Sequence, residues 1–83
     1  MKYPIFSVRD IKVGFGIPYV EQTDASAIRG FSYTVNAREG VMNFSPKDYD
    51  LYKVGEFDTE KGVIIASKLP TLMVSGTDVF NEE

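Results

Sequence analysis

The stretch that decides the fold is SPKDYDLYKVGEFDTEKGVIIA, residues 45–66. It begins with Ser45 and Pro46, a pair typical of a helix N-cap followed by proline at the first helical position, which predicts one short turn through Asp48 or Tyr49. The loop at residues 58–62 starts with aspartate and ends with a glycine that can adopt positive φ, as in loops built from a type I turn and a bulge. The stretch therefore predicts a short turn that leads into a two-stranded hairpin.

The predicted hairpin has apolar side chains on both faces. On one face the expected cross-strand pairs are Phe57 with Val63, Gly55 with Ile65 and Leu51 with Leu69. On the other face the expected side chains are Tyr52, Val54, Ile64 and Ala66. A single helix can cover only one face, so we predict that the second face is an interface, either with another subunit or with nucleic acid bases.

The first 22 residues predict a strand followed by an irregular arm. Phe6 and Val8 share one parity over residues 3–9, which is the period-two pattern of a half-buried strand. After residue 12, Gly14, Gly16 and Pro18 interrupt a similar alternation, and both residue types weaken regular strands. We therefore expect an extended arm or an irregular sheet edge after the first strand.

Residues 23–39 predict the main helix. Thr23 or Asp24 is a suitable N-cap, because its side-chain oxygen can accept a hydrogen bond from an otherwise unpaired N–H group. One apolar stripe follows at helical spacing, formed by Ala27, Ile28, Phe31 and Val35. This stripe is expected to face the sheet, and Gly40 is expected to end the helix.

These elements together predict a single α+β domain over residues 1–83. The expected order is strand, arm, helix, strand and strand, with a three- or four-stranded antiparallel sheet and one main helix packed on one face. Between the helix and the hairpin, Met42 and Phe44 are expected to pack on the core. The turn and hairpin are expected to occupy residues 45–74, and residues 75–83 to form the tail.

The composition excludes several kinds of active site. The chain has 83 residues with no histidine and no cysteine, which removes nucleophilic triads and most zinc sites. We therefore expect no enzyme activity, no metal and no cofactor. Since no stretch approaches the roughly 20 apolar residues of a membrane span, and the first residues lack a signal peptide's apolar region, we expect a soluble intracellular protein. The net charge of -3 argues against nucleic-acid binding that depends mainly on neutralising phosphates.

The chain contains more aromatic side chains, five tyrosines and six phenylalanines, than one small core can bury completely. Tyrosines interleaved with cations can hold single-stranded nucleic acid without sequence preference, because bases stack on the rings. The candidate residues for this role are Arg9, Lys12, Tyr19, Arg29, Tyr33, Lys47, Tyr49, Tyr52 and Lys53. The alternative is that the tyrosines bury their rings and leave their hydroxyls at the rim, or that they line a homodimer interface.

Several spaced motifs resemble a known phage family. They are Ala27-Ile28-Arg29-Gly30-Phe31, Val35-Asn36, the run from Pro46 to Asp58, and Gly62. Together with the Phe-Ser-Val-Arg-Asp strand at residues 6–10 and Gly16-Ile17-Pro18-Tyr19 in the arm, they resemble the small non-structural protein of gokushoviruses, single-stranded DNA bacteriophages of the Microviridae. The similarity spans residues 5–65 and is weakest after Lys68.

The resemblance implies a DNA-binding or genome-synthesis accessory protein in the cytoplasm of an infected bacterium. It supplies no catalytic or binding residues, so the candidates above rest on their chemistry alone. We therefore expect a non-enzymatic protein that binds single-stranded DNA, as a homodimer, during genome synthesis or packaging. The competing hypothesis is a protein-interaction module that docks on a phage replication or procapsid component, or on a host factor.

Overall fold

A computed structural model describes residues 1–81. The strands are β1 (Lys2–Asp10), β2 (Gly14–Phe15), β3 (Tyr19–Val20), β4 (Tyr49–Asp58) and β5 (Val63–Ser75). The helices are α1 (Asp24–Asn36), α2 (Val41–Phe44) and α3 (Gly76–Val79), and a 3₁₀ turn spans Pro46–Asp48. The predicted α+β class is confirmed.

The five strands found within residues 1–81 form one antiparallel sheet in the order β2-β1-β4-β5, with β3 also paired to β1. Four strands were the most that the sequence predicted, and the difference lies in the arm. Its short segments β2 and β3 both pair with β1, where Phe15 is opposite Arg9 and Tyr19 is opposite Phe6. The glycines and the proline therefore interrupt the arm without detaching it from the sheet.

The main helix begins with a reciprocal cap. The Thr23 side chain accepts a hydrogen bond from the Ser26 N–H, and the Ser26 hydroxyl accepts one from the Thr23 N–H. The helix ends at Asn36, earlier than Gly40, because Ala37 already has extended backbone angles. Gly40 instead lies at the N-cap of the short helix α2.

The core lies between α1 and one face of the sheet. Its buried side chains are Phe6, Ala27, Phe31, Val35 and Leu51. The predicted helical stripe is thus confirmed, with Ile28 at its partly buried margin. Met42 packs against this core as predicted, but Phe44 does not: 92% of its surface is exposed. Phe44 lies at the last position of the four-residue helix α2.

The cross-strand pairing of the hairpin differs from the prediction. Phe57 pairs with Ile64 instead of Val63, because Asp58 already belongs to the strand and pairs with Val63. Beyond Gly55, which pairs with Ala66, the register shifts, so that Leu51 pairs with Val74 instead of Leu69. The physical reason is two bulges on β5: four residues, 67–70, stand opposite the single residue Val54, and Met73 is an extra residue between the partners of Tyr52 and Leu51.

The helix is much shorter than the hairpin. At about 1.5 Å per residue, the 13 residues of α1 span roughly 20 Å, whereas the 13 residues of β5 span roughly 43 Å at about 3.3 Å each. The molecule is accordingly elongated, measuring 45 × 23 × 18 Å. Every residue of β5 from 63 to 70 is exposed, so α1 covers only one end of the sheet.

Candidate functional site

The face of the sheet opposite α1 carries an aromatic and cationic cluster. Its members are Arg9, Phe15 and Tyr52, which we call the open-face cluster. The Phe15 and Tyr52 rings meet edge to face with their centroids 5.2 Å apart, and the Arg9 guanidinium lies 5.8 Å from the Phe15 centroid. These distances are typical of a T-shaped aromatic pair and of a cation–π contact.

Strand register places the three side chains on the same face. Arg9 is opposite Phe15, and Ser7, which shares the parity of Arg9 on β1, is opposite Tyr52. Residues opposite each other in an antiparallel pair project to the same side of the sheet. Phe6, of the other parity, lies in the core beneath α1, so the cluster faces away from the helix.

The tight turn between β1 and β2 brings Phe15 back onto this face. The Asp10 carboxylate accepts a hydrogen bond from the Lys12 N–H, and the Asp10 carbonyl accepts one from the Val13 N–H. Gly14 then takes a φ of 132°, which strongly favours glycine. Phe15 follows directly, and 49% of its surface is exposed.

A shallow depression of about 200 Å³ adjoins the cluster. It is lined by Ser7, Phe15, Gly16, Pro18, Val54 and Pro70. The Ser7 hydroxyl is satisfied internally because it donates to the Gly16 carbonyl at 2.8 Å. The depression is therefore an apolar surface beside a half-exposed ring, suited to the flat face of an aromatic ligand.

The electrostatics of the cluster are nearly balanced. Arg9 is the cation of the open-face cluster, and the Cα partner of Arg9 on β4 is Asp50, which projects to the same face. Lys53 does not add to this charge: it is opposite Phe6 on the helix side and forms an ion pair with Asp24 at 3.4 Å. The cluster is thus mainly a stacking surface and only weakly a phosphate site.

A second group of predicted residues forms at the 3₁₀ turn. Lys12 Nζ lies 3.5 Å from the Asp48 carboxylate, which also accepts a 2.6 Å hydrogen bond from the Ser45 hydroxyl. That hydrogen bond, helped by the Lys12 charge, lowers the pKa of Asp48. Burial, followed by the charge of Asp10, raises the pKa of the nearby Tyr49 hydroxyl. Lys12 is thus held in a local ion pair with Asp48.

The remaining candidates lie apart from both groups. Tyr19 packs against the core with its ring 6.4 Å from that of Phe6, and burial raises the pKa of its hydroxyl. Tyr33 and Arg29 are exposed on α1, and Lys47 is exposed on the 3₁₀ turn. Of the nine candidates, the structure therefore brings Arg9 and Tyr52 together at the open-face cluster.

Phe15 was not among the nine predicted binding residues, although it links Arg9 and Tyr52 in the open-face cluster. It was overlooked because the pattern Gly14-Phe15-Gly16 favours a bend, and tyrosines alone were selected as exposed aromatics. Its parity gave no usable signal: Phe15 shares the parity of Tyr19 in the arm, yet Tyr19 is opposite Phe6 on the core side and Phe15 is opposite Arg9 on the other face. A phenylalanine between two glycines has few neighbours to bury it.

The predicted interface residues are spread along the hairpin. Tyr52 is opposite Leu72 on the covered half of the sheet, whereas Ile64 and Ala66 are opposite Phe57 and Gly55 on the projecting half. Val54 lies at the bulge between the two halves. Tyr52 and Val54 thus adjoin the depression, and Ile64 and Ala66 belong to the projecting hairpin.

Comparison with known families gives a match over most of the chain. The model of the family described as Phage ORF5 protein matches residues 3–79. No curated protein and no solved structure shows significant similarity to the chain. Within residues 1–81, none of the helices has the length and apolar character needed to cross a membrane. Because the family match covers nearly the whole sequence, the chain belongs to the Phage ORF5 protein family.

Proposed function

We propose that this phage accessory protein binds single-stranded DNA by stacking bases on the open-face cluster, without catalysing a reaction. The observation that carries the proposal is the half-exposed Phe15 ring, held edge to face against Tyr52 and beside the Arg9 guanidinium. The resemblance to gokushovirus proteins of the Microviridae supports a role in genome synthesis or packaging in the cytoplasm of the infected bacterium.

The chemistry of the cluster favours single strands over duplexes. An unpaired base can place its π-face on an exposed ring or on a guanidinium plane, and this mode tolerates every base. A duplex hides those faces and offers mainly phosphates, which a chain of net charge -3 attracts poorly. The ligand that fits the cluster is therefore an unstacked strand.

Fluorescence anisotropy with labelled oligonucleotides at low salt tests the proposal. Stacking on one aromatic side chain contributes about 1–3 kcal/mol, so Tyr52→Ala or Phe15→Ala should raise Kd about 5- to 150-fold. Phe15→Leu keeps most of the apolar volume but removes the π-face, and it should weaken binding nearly as much. Since the cluster offers one cation beside a carboxylate, the salt dependence should be shallow.

Two variants serve as matched controls. Tyr33→Ala removes an exposed tyrosine from α1, and Lys53→Ala removes a cation from β4 on the helix side of the sheet. Both should leave Kd nearly unchanged. Absence of binding by the wild-type protein at tens of micromolar, or equal losses in the controls and in Tyr52→Ala, would refute the proposal.

A second candidate function is docking on another protein, such as a phage replication or capsid component or a host factor. It is favoured by Phe44, which is 92% exposed beside a cavity of about 290 Å³ lined by Pro46, Lys47, Thr77 and Phe80. Pull-down from infected cells after nuclease treatment separates the two functions. A protein partner should survive the nuclease and be lost in Phe44→Ala.

A further inference from the structure

The depression beside the open-face cluster offers a ligand few hydrogen-bonding groups. Its two prolines, Pro18 and Pro70, have no N–H group, and Phe15 and Val54 contribute side chains of carbon alone. The Gly16 N–H donates to the Val8 carbonyl at 2.8 Å, and the Gly16 carbonyl accepts from the buried Ser7 hydroxyl at 2.8 Å. A ligand in the depression therefore contacts mainly carbon.

The depression is preformed, because rigid parts of the fold supply its lining. Ser7 lies on β1, Val54 on β4 and Pro70 on β5, and all three strands belong to one sheet. Proline has a fixed φ, so Pro18 and Pro70 lose little freedom when a ligand covers them. The Phe15 ring is held against Tyr52 at a centroid distance of 5.2 Å. Binding therefore spends little free energy on ordering the site.

A base that stacks at the open-face cluster also meets this lining, because Phe15 belongs to both. The exocyclic amino groups of adenine, cytosine and guanine would lose water there and gain no partner, which opposes their binding. Thymine carries a methyl group at C5, which apolar side chains contact favourably. Uracil has only hydrogen at that position. Among the DNA bases, thymine is thus the one whose substituents suit a surface of carbon.

We propose that the depression receives the C5 methyl group of thymine and gives the protein a preference for thymine in single-stranded DNA. The proposal rests on the proposed function, since it needs a base stacked at Phe15. Burying one methyl group favours binding by up to about fourfold. The preference is therefore modest, and it adds to stacking that accepts every base. It also favours DNA over RNA, because RNA carries uracil in place of thymine.

Fluorescence anisotropy with oligo(dT) and oligo(dU), equal in length and label, tests the proposal. The two strands have the same sugar and the same charge, and they differ only in the C5 methyl group. The wild-type protein should bind oligo(dU) with a Kd about two- to fourfold higher than that for oligo(dT).

Two variants locate the origin of this preference. Val54→Thr keeps the shape and the β-branch of the side chain but places a hydroxyl in the depression, and Pro70→Ser makes another part of the lining polar. Each should bring the ratio of the two Kd values close to one. Val63→Thr is the matched control, because Val63 is 44% exposed on β5 and lies outside the lining, and it should keep the wild-type ratio.

The ratio is measured within each variant, so a general loss of affinity cancels, and circular dichroism verifies that each variant is folded. Equal Kd values for the two strands with the wild-type protein would overturn the proposal and leave the proposed function standing. A preference that persisted in both lining variants would also overturn it, because the methyl group would then act within the strand or elsewhere on the protein. Absence of binding to both strands would refute the proposed function and this proposal with it.

Discussion

Replacing Gly76 with alanine should destabilise the protein strongly, because the structure leaves no room for a Cβ atom there. Gly76 is buried at the start of α3. A Cβ built on its backbone would overlap the Pro46 carbonyl oxygen and would lie 3.0 Å from the Tyr49 carbonyl oxygen. Both obstacles are main-chain atoms of the segment that enters β4, so neither can rotate away. Either α3 or the 3₁₀ turn must move.

The expected loss in the free energy of unfolding follows from this displacement of the backbone. Forcing an extra methyl group into a packed site costs about 1–3 kcal/mol, and a rigid backbone neighbour places Gly76→Ala toward the upper end. A domain of this length has about 4–12 kcal/mol of total stability. A loss of about 2–3 kcal/mol should lower Tm by roughly 8–24 °C, at about 4–8 °C per kcal/mol.

Gly30→Ala makes the same chemical change and should have the opposite effect. Gly30 lies inside α1, and the nearest atom to a Cβ there is the Glu21 Oε2 at 3.9 Å, at the end of a side chain. Alanine in a helix interior is favoured over glycine by up to about 1 kcal/mol, so Tm should rise by a few degrees.

Thermal and urea unfolding, followed by circular dichroism, measure both effects. The two alanine variants should differ from each other by about 2–4 kcal/mol in the free energy of unfolding. If Gly76→Ala were as stable as the wild-type protein, the close approach of α3 to the 3₁₀ turn would be wrong. If Gly30→Ala were destabilising, some unseen contact would have to require the glycine.

Two further predictions concern the helix cap and the hairpin loop. Thr23→Ala should cost about 0.5–2 kcal/mol in urea unfolding because it removes the reciprocal cap with Ser26, whereas Thr23→Ser should be nearly neutral. Hydrogen bonds from the Glu60 and Lys61 N–H groups lower the pKa of Asp58, so its stabilising effect is present above the unfolded pKa of about 4 and is lost as the pH falls through the folded value. Asp58→Asn should therefore flatten the fall of Tm below about pH 4, and an unchanged profile would contradict this assignment.

The elements that sequence could predict are those with a local cause. The α1 stripe of Ala27, Phe31 and Val35 repeats at helical spacing, and the core side of each strand follows a period of two. The hairpin loop could also be predicted, since Gly62 takes the positive φ of 69° that the turn requires. Each of these features depends on residues within a few positions of one another.

The register of the hairpin had no such local cause. A single extra strand residue, Asp58, shifted every pair near the loop by one position, and the bulges opposite Val54 and at Met73 then shifted the rest. Bulges depend on twist and on contacts with other strands, because β4 is also irregular against β1 at Ile5 and Phe6. The shift near the loop places Phe57 opposite Ile64 and Gly55 opposite Ala66, so residues from the two predicted faces are paired with each other.

The open-face cluster was partly predictable for the same reason. Arg9 and Tyr52 lie on long strands, where parity indicates which face they occupy. Phe15 reaches the cluster through the turn at Gly14, and the pairing of a two-residue strand with β1 leaves almost no periodic signal. This site combines side chains from two regular strands and one irregular segment. Only the side chains on the regular strands can be predicted from the sequence.

Helix α1 is much shorter than the hairpin, and this difference in length affects both the stability of the protein and its exposed surface. An isolated two-stranded hairpin is marginally stable in water, yet residues 63–70 of β5 project beyond the cover of α1 with their side chains exposed. This end of the hairpin gains little from the core, which contains only the far end of β4 through Leu51. Its order must therefore come from the ladder of residues 63–66 with β4, which is paired in turn with β1. Amide hydrogen exchange along residues 63–66 should consequently be faster than at Leu51, because few buried contacts keep this end of the hairpin closed.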